Sequence, residues 1–207
     1  MRTLLIIDVQ NDFLPGGALE VPGSDAIVPV INRLVGGFDL VVAAQDWHPA
    51  GHGSFASSHA GRAPFERIDL NGLEQTLWPD HCVQGSRGAE FSAELDTRRV
   101  EAIFRKGMDP AIDSYSAFFD NGRRKSTGLA DFLRGRGAKE LWLCGLAGDI
   151  CVHFSAKDAL DQGFTVNFVL DAATALDAAR EDAHLAAMRE RGARIVTSGE
   201  VPGEATR

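Results

Sequence analysis

The sequence predicts an α/β fold: a single-domain three-layer sandwich, a parallel sheet with helices on both faces. Three observations carry this. Short apolar runs alternate along the chain with helical patterns, and that alternation builds parallel sheets through right-handed crossovers. The apolar runs are nearly continuous, as in strands buried on both faces. The length of 207 residues suits one domain that can bury a large core without disulfides. No internal repeat, low-complexity tract or linker marks a second domain.

Thr3 to Ile7 reads as a central strand, with Asp8 at its C-terminal end, the edge where open α/β sheets bind ligands. A Pro-Gly-Gly turn at 15–17 follows. Ser24 and Asp25 offer N-cap oxygens for a helix over 26–35, with Ile27, Val30, Ile31 and Leu34 on one face and Gly36 and Gly37 as its stop. Leu40 to Ala44 is a second strand, ending in Gln45-Asp46-Trp47-His48. From Pro49 to Gly88 periodicity fades, with a weak apolar thread through Ile68, Leu70, Leu73 and Leu77. A loop of that length in a compact domain is usually functional. Phe91 to Asp96 reads as a short helical piece.

Val100 to Phe104 is a third strand, running into Arg105-Lys106-Gly107. Ser126 caps a helix through Leu129, Phe132 and Leu133. The stretch Leu141 to Val152 begins as a buried strand, passes a Gly-rich turn and delivers Cys151 at the start of a helix that Gly163 ends. Phe164 to Leu170 is a strand with Asp171 at its end, Arg180 to Arg191 a helix, Ile195 and Val196 a last short strand, and 201–207 a frayed tail.

The net charge of −8 argues against a general nucleic-acid binder. No apolar run reaches membrane-spanning length, and the N-terminal run reads as a strand and not a signal peptide. The three cysteines lack the spacing of a disulfide scaffold, which points to a reducing cytoplasm. An acidic chain with a strand-rich edge can pair, so a homo-oligomer stays open.

Two constellations can carry chemistry. Asp8, Lys106 and Cys151 stand at strand ends that converge on one crevice. There Asp8 can take the Cys151 proton, Lys106 can balance charge, and a thiolate favoured by the helix dipole can attack a carbonyl. Backbone N–H groups of the turn 145–148 and of Cys151 can hold an oxyanion. Equally, Cys151 can be a small buried hydrophobe and Lys106 a solvated surface lysine. The second constellation is Asp46-x-His48 with His81. Four of the six histidines fall between 48 and 81, leaving His52 and His59 as spare candidates. One carboxylate and two imidazoles suit zinc, iron or manganese, although Asp-Trp-His-Pro is also a plain turn. Phe13, Trp78 and Tyr115 can sandwich a flat ring or simply pack.

Asp8-Val-Gln-Asn-Asp-Phe13, Asp46-Trp-His48-Pro, Trp78-Pro-Asp-His81-Cys, Arg105-Lys106-Gly, Tyr115-Ser and Cys144-Gly-Leu-Ala-Gly-Asp-Ile-Cys151-Val together resemble the nicotinamidase/pyrazinamidase branch of the isochorismatase-like cysteine hydrolases, over nearly the whole chain and in order. The resemblance implies a six-stranded parallel sheet in the order 3-2-1-4-5-6 and one domain over 1–207, with an irregular metal-site and lid segment at about 46–98. It implies hydrolysis of nicotinamide to nicotinate and ammonia through a cysteine thioester, in NAD salvage, with pyrazinamide as a side substrate. Asp8, Lys106 and Cys151 are then the catalytic triad, and Ala147 and Cys151 the oxyanion donors, with a cis Leu146–Ala147 peptide. Asp46, His48 and His81 are the ligands of one divalent metal, zinc before iron or manganese. Phe13, Trp78 and Tyr115 hold the ring. The alternatives are a hydrolase of another small amide or ester on the same fold, and a non-catalytic metal- or ligand-binding protein.

Overall fold

The structure is a computed structural model and describes residues 1–201. Its central element is β1 (Arg2–Ile7), whose Leu4 to Ile7 are fully buried. An apolar strand with neither face exposed needs partners on both edges, and β1 has them. It pairs in parallel with β2 (Leu40–Asp46) on one side and with β6 (Glu140–Leu146) on the other. The sheet extends outward to β5 (Val100–Lys106) beyond β2, and to β7 (Thr165–Thr174) and β8 (Arg194–Val196) beyond β6. Counting only these six strands in chain order, the arrangement is 3-2-1-4-5-6.

Strand order reverses direction at β1. Right-handed crossovers therefore put α1 (Ile27–Leu34) on one face and α3 (His153–Asp161) with α4 (Ala178–Glu190) on the other. The helix α2 (Leu129–Gly135) joins β5 to β6. The reversal also leaves a crevice above the C-terminal ends of β1 and its neighbours.

Several local expectations are corrected. Helix α1 begins through a 3-10 turn at Ser24–Ala26 with no side-chain cap, and Val28 is buried while Val30 is only half-buried. The segment 91–96 is not helical: Phe91 makes an isolated bridge to Gln10, and the chain then turns. The segment 49–88 is not wholly irregular. Its weak apolar thread is a hairpin, β3 (Arg67–Leu70) and β4 (Leu73–Thr76), turning at Asn71 and Gly72, both in the left-handed region. Asp171 does not end its strand. A register break between Leu143 and Gly145 lets β7 run on to Thr174, and Asp171 instead accepts hydrogen bonds from Ser198. Of the tail, Val201 is buried, and 202–207 lie outside the described residues.

Candidate active site

The ends of four adjacent strands supply the first cluster. Asp8 follows β1, Asp46 and Lys106 close β2 and β5 as register partners, and β6 leads into a π-helical turn, Gly148–Val152, that carries Cys151. The turn precedes α3, so Cys151 sits just ahead of the helix it was expected to start. The peptide Leu146–Ala147 is cis. Close approach of β6 to β1 requires glycine at 145, because a Cβ there would lie 2.0 Å from the Ile7 carbonyl oxygen.

Lys106 is the hub. Its Nζ lies 2.8 Å from Asp8 Oδ2, 2.9 Å from Asp46 Oδ1 and 3.5 Å from Cys151 Sγ, and it donates to the Ser114 carbonyl at 3.1 Å. All four residues around it are buried. A buried ammonium survives only when paired; despite burial, the carboxylates of Asp46 and Asp8 hold its pKa well above the ordinary lysine value. Burial raises the Asp8 carboxyl to about 6, against the opposing pull of Lys106. Burial also pushes the Cys151 thiol well above its usual value, again opposed by Lys106. Burial at Cys151 thus opposes the thiolate that the helix end favours. A thiol pushed up by burial therefore lies beside a carboxyl raised to about 6, the pairing of a nucleophile with its base. Among the described residues, Asp8 Oδ1 has no hydrogen-bond partner.

Asp46 links this cluster to a second one. Its Oδ2 lies 3.1 Å from His48 Nε2 and 3.4 Å from His81 Nε2, and the three side chains are close enough to share one ion. Burial would raise the Asp46 carboxyl, but His48 and Lys106 hold it well below the carboxylate range. Each imidazole is oriented from behind. His48 Nδ1 lies 3.0 Å from the Gly107 carbonyl and His81 Nδ1 2.8 Å from the Pro79 carbonyl. A carbonyl only accepts, so Nδ1 carries a proton, and Nε2 is left as the atom that faces Asp46 and would face a cation, the arrangement of a metal-ligating histidine. The residues present fit a divalent cation.

Position 107 must be glycine here: φ is +68°, and a Cβ would lie 2.4 Å from the His48 ring. His52 packs on His48, ring centroids 4.5 Å apart, but its Nε2 meets the Asp109 carbonyl and its Nδ1 accepts from Ser54. With Asp113 it forms a second close group around His48. His59 bonds the Gly53 carbonyl, outside both groups.

A small cavity joins the two clusters. Phe13, Trp78 and Tyr115 line it with Asp46, His81, Ala147 and Cys151. Trp78 and Tyr115 meet edge to face, 6.1 Å between centroids. Sequence reasoning missed Leu19, Asp113, Ile150 and Leu176, which also line the cavity. It missed Gln10 as well, whose side chain bonds both the N–H and the carbonyl of Asp46. The polar run after β1 was visible; what it reached across to was not.

An isochorismatase-domain family model matches residues 2–200. The chain belongs to the isochorismatase family. Within that family it is 52% identical to the nicotinamidase of Escherichia coli strain K12 over 174 residues, 82% of this chain and 81% of that one. A nicotinamidase/pyrazinamidase structure from Acinetobacter baumanii superposes with a TM-score of 0.94 at 42% identity, covering 96% of this chain and 97% of the other. A pyrazinamidase of Pyrococcus horikoshii, solved in complex with zinc, superposes with a TM-score of 0.79 at 36% identity, covering 95% and 98%.

Proposed function

We propose that this isochorismatase-family protein hydrolyses nicotinamide to nicotinate and ammonia, with Cys151 as nucleophile and a divalent metal at Asp46, His48 and His81. The observation that carries the reading is that one cavity is lined by Cys151, which Lys106 ties to Asp8 behind it, and by Asp46 and His81 of the two-imidazole, one-carboxylate cluster. Either alone has other uses. Together they suit a small flat amide held at one end and attacked at the other. The nicotinamidases among its relatives support the substrate, and the zinc-bound pyrazinamidase supports the metal.

The chemistry divides as follows. Asp8 takes the thiol proton as Sγ bonds to the amide carbon, and N–H groups of Ala147 and Cys151 receive the oxyanion. Asp8 returns that proton to the nitrogen, the C–N bond breaks and ammonia leaves. Water then attacks the nicotinoyl thioester, giving its proton to Asp8 while the C–S bond breaks; Asp8 reprotonates the sulfur. Lys106 offsets one of the two carboxylate charges throughout. Asp46 Oδ2 and the Nε2 atoms of His48 and His81 would hold the metal: zinc first by donor type, iron or manganese as alternatives. When bound, the ion supplies a Lewis-acid anchor for the pyridine nitrogen. Phe13 and Trp78 flank the ring, with Tyr115 as a wall. The segment 46–98 serves as metal site and lid of a single domain. No described helix is long and apolar enough to cross a membrane; the reaction's expected place is NAD salvage in the cytoplasm. Pyrazinamide differs by one ring nitrogen and is expected as a side substrate.

Ammonia release from nicotinamide by the metal-loaded protein tests the reading. Cys151→Ala should abolish it, by at least about a thousandfold. Turnover unchanged in that variant would falsify the mechanism, and a stronger preference for another small amide would move the substrate.

A further inference from the structure

Cys151 needs something to hold it, because the π-helical turn that carries it is a single turn between a strand end and a helix. The residue two before it, Asp149, is fully buried and acidic. A buried carboxylate is retained only where donors surround it. Asp149 has four contacts of that kind. Its Oδ1 accepts from Leu176 N at 2.9 Å; its Oδ2 accepts from Asp177 N at 3.1 Å and Arg180 Nε at 2.7 Å, with Arg180 Nη2 at 2.6 Å. Its own carbonyl accepts from His184 Nδ1 at 3.1 Å. The next residue back lies close to α4 too: a Cβ on Gly148 would lie 2.2 Å from Glu181 Oε1. The donors come from two places: the segment just after β7, where Leu176 lines the cavity, and the first two turns of α4.

We propose that Asp149 and Arg180 are positioning residues for the nucleophile: their ion pair fixes the Cys151 turn, the Leu176 wall of the cavity and α4 as one unit. The proposal rests on the reading of Cys151 as the attacking group. The fork of Arg180 meets the carboxylate from the α4 side while the two backbone N–H groups meet it from the Leu176 side, so neither the turn nor the wall can shift without breaking a charge-assisted bond. Attack geometry is sensitive to such shifts, since about 1 Å of misplacement can cost about a hundredfold in rate. None of these contacts involves Asp46, His48 or His81, so the metal cluster is not expected to notice their loss.

The test compares Asp149→Asn, Arg180→Gln and Arg180→Lys with the parent, all metal-loaded. It reads kcat and KM for ammonia release, Cys151 alkylation by iodoacetamide, bound metal per chain and melting temperature. Asp149→Asn and Arg180→Gln should lower kcat by roughly ten- to a hundredfold, slow or scatter the alkylation, and leave metal content unchanged; Arg180→Lys should recover part of kcat. A role confined to stability would instead lower the melting temperature and leave kcat per folded chain and alkylation at parental values, and that result overturns the proposal. If Asp149→Asn does not fold, Arg180→Gln decides, since the Arg180 side chain is partly exposed and two backbone donors remain on Asp149. Cys151→Ala separates the two readings. If it is inactive while Arg180→Gln is normal, only the positioning idea fails; if it is active, the nucleophile assignment fails first.

Discussion

The two halves of the site are held in different ways. Asp8 and Lys106 stand where β1 and β5 end, fixed by parallel pairings that also build the core, and Cys151 follows β6 on the turn that Asp149 ties to α4. His48, Trp78 and His81 come from the 46–98 segment, where position depends on scattered loop contacts: a carbonyl behind each histidine, a glycine under His48, isolated bridges at His48 and Trp78, and edge-to-face ring pairs of Trp78 with Tyr115 and Phe65. A ladder distributes its constraint over many bonds, so a side chain on it can be changed with little effect on its neighbours. Scattered loop contacts hold less in reserve. Substitutions on the strand-end half should therefore remove chemistry and spare metal, and substitutions on the loop half should remove metal or ring binding and spare the thiol.

The largest effect is expected on the strand side. Asp8→Asn keeps the size of the side chain and tolerates the left-handed backbone found there, φ +52°, but it cannot take a proton. Its kcat should fall by roughly a hundred- to ten-thousandfold, with bound metal per chain unchanged. Loss of metal in this variant would break the division between the halves. In the parent, kcat/KM should fall by about tenfold per pH unit on the acid side. The break should lie near the Asp8 value of about 6, because below it the carboxyl is protonated and can no longer accept the thiol proton. A pH–rate profile flat from neutrality down to well below that value would remove Asp8 as the base.

Gly107→Ala is the matching experiment on the loop side. The added Cβ must displace the His48 ring and strain a backbone held at φ +68°. Metal affinity should drop by about ten- to a hundredfold, the usual cost of disturbing what orients a ligand. Excess metal should then restore activity. Iodoacetamide should still alkylate Cys151 at the parental rate. Slowed alkylation would mean that the loop half also sets the thiol, and the comparison would collapse.

The same contrast decides what could be read from the sequence. Strands buried on both faces announce themselves as apolar runs, so β1, β2, β6 and the crevice at their ends were legible, and with them Asp8, Lys106 and Cys151. Direction of charge was not. At Cys151 burial, a property of the folded neighbourhood, pushes the thiol up against the field of the helix end. In the loop, Asp46, His48 and His81 were visible as a pattern, but the roles of Gly107, Gln10 and Asp113 were not, since each acts across long sequence distances. The β3–β4 hairpin had a local signal after all. Asn71-Gly72 between Leu70 and Leu73 is a two-residue hairpin turn, overlooked because the flanking strands are mostly polar or half-exposed.

The smallest effect, and the finest probe of the comparison, is at Trp78. The ring is buried, pairs with Tyr115 on the cavity side, and meets the exposed Phe65 on the other at 6.1 Å. Trp78→Leu removes an aromatic face without touching a hydrogen bond within either cluster. The loss of aromatic contact is worth about 0.5–1.5 kcal/mol, which corresponds to a KM for nicotinamide raised by roughly two- to twelvefold. Because the thiol, Asp8 and the metal cluster all keep their own partners, kcat should hold. A fall in kcat with KM unchanged would place Trp78 among the groups that set attack geometry, and one residue of the loop half would then belong, in function, with the strand ends.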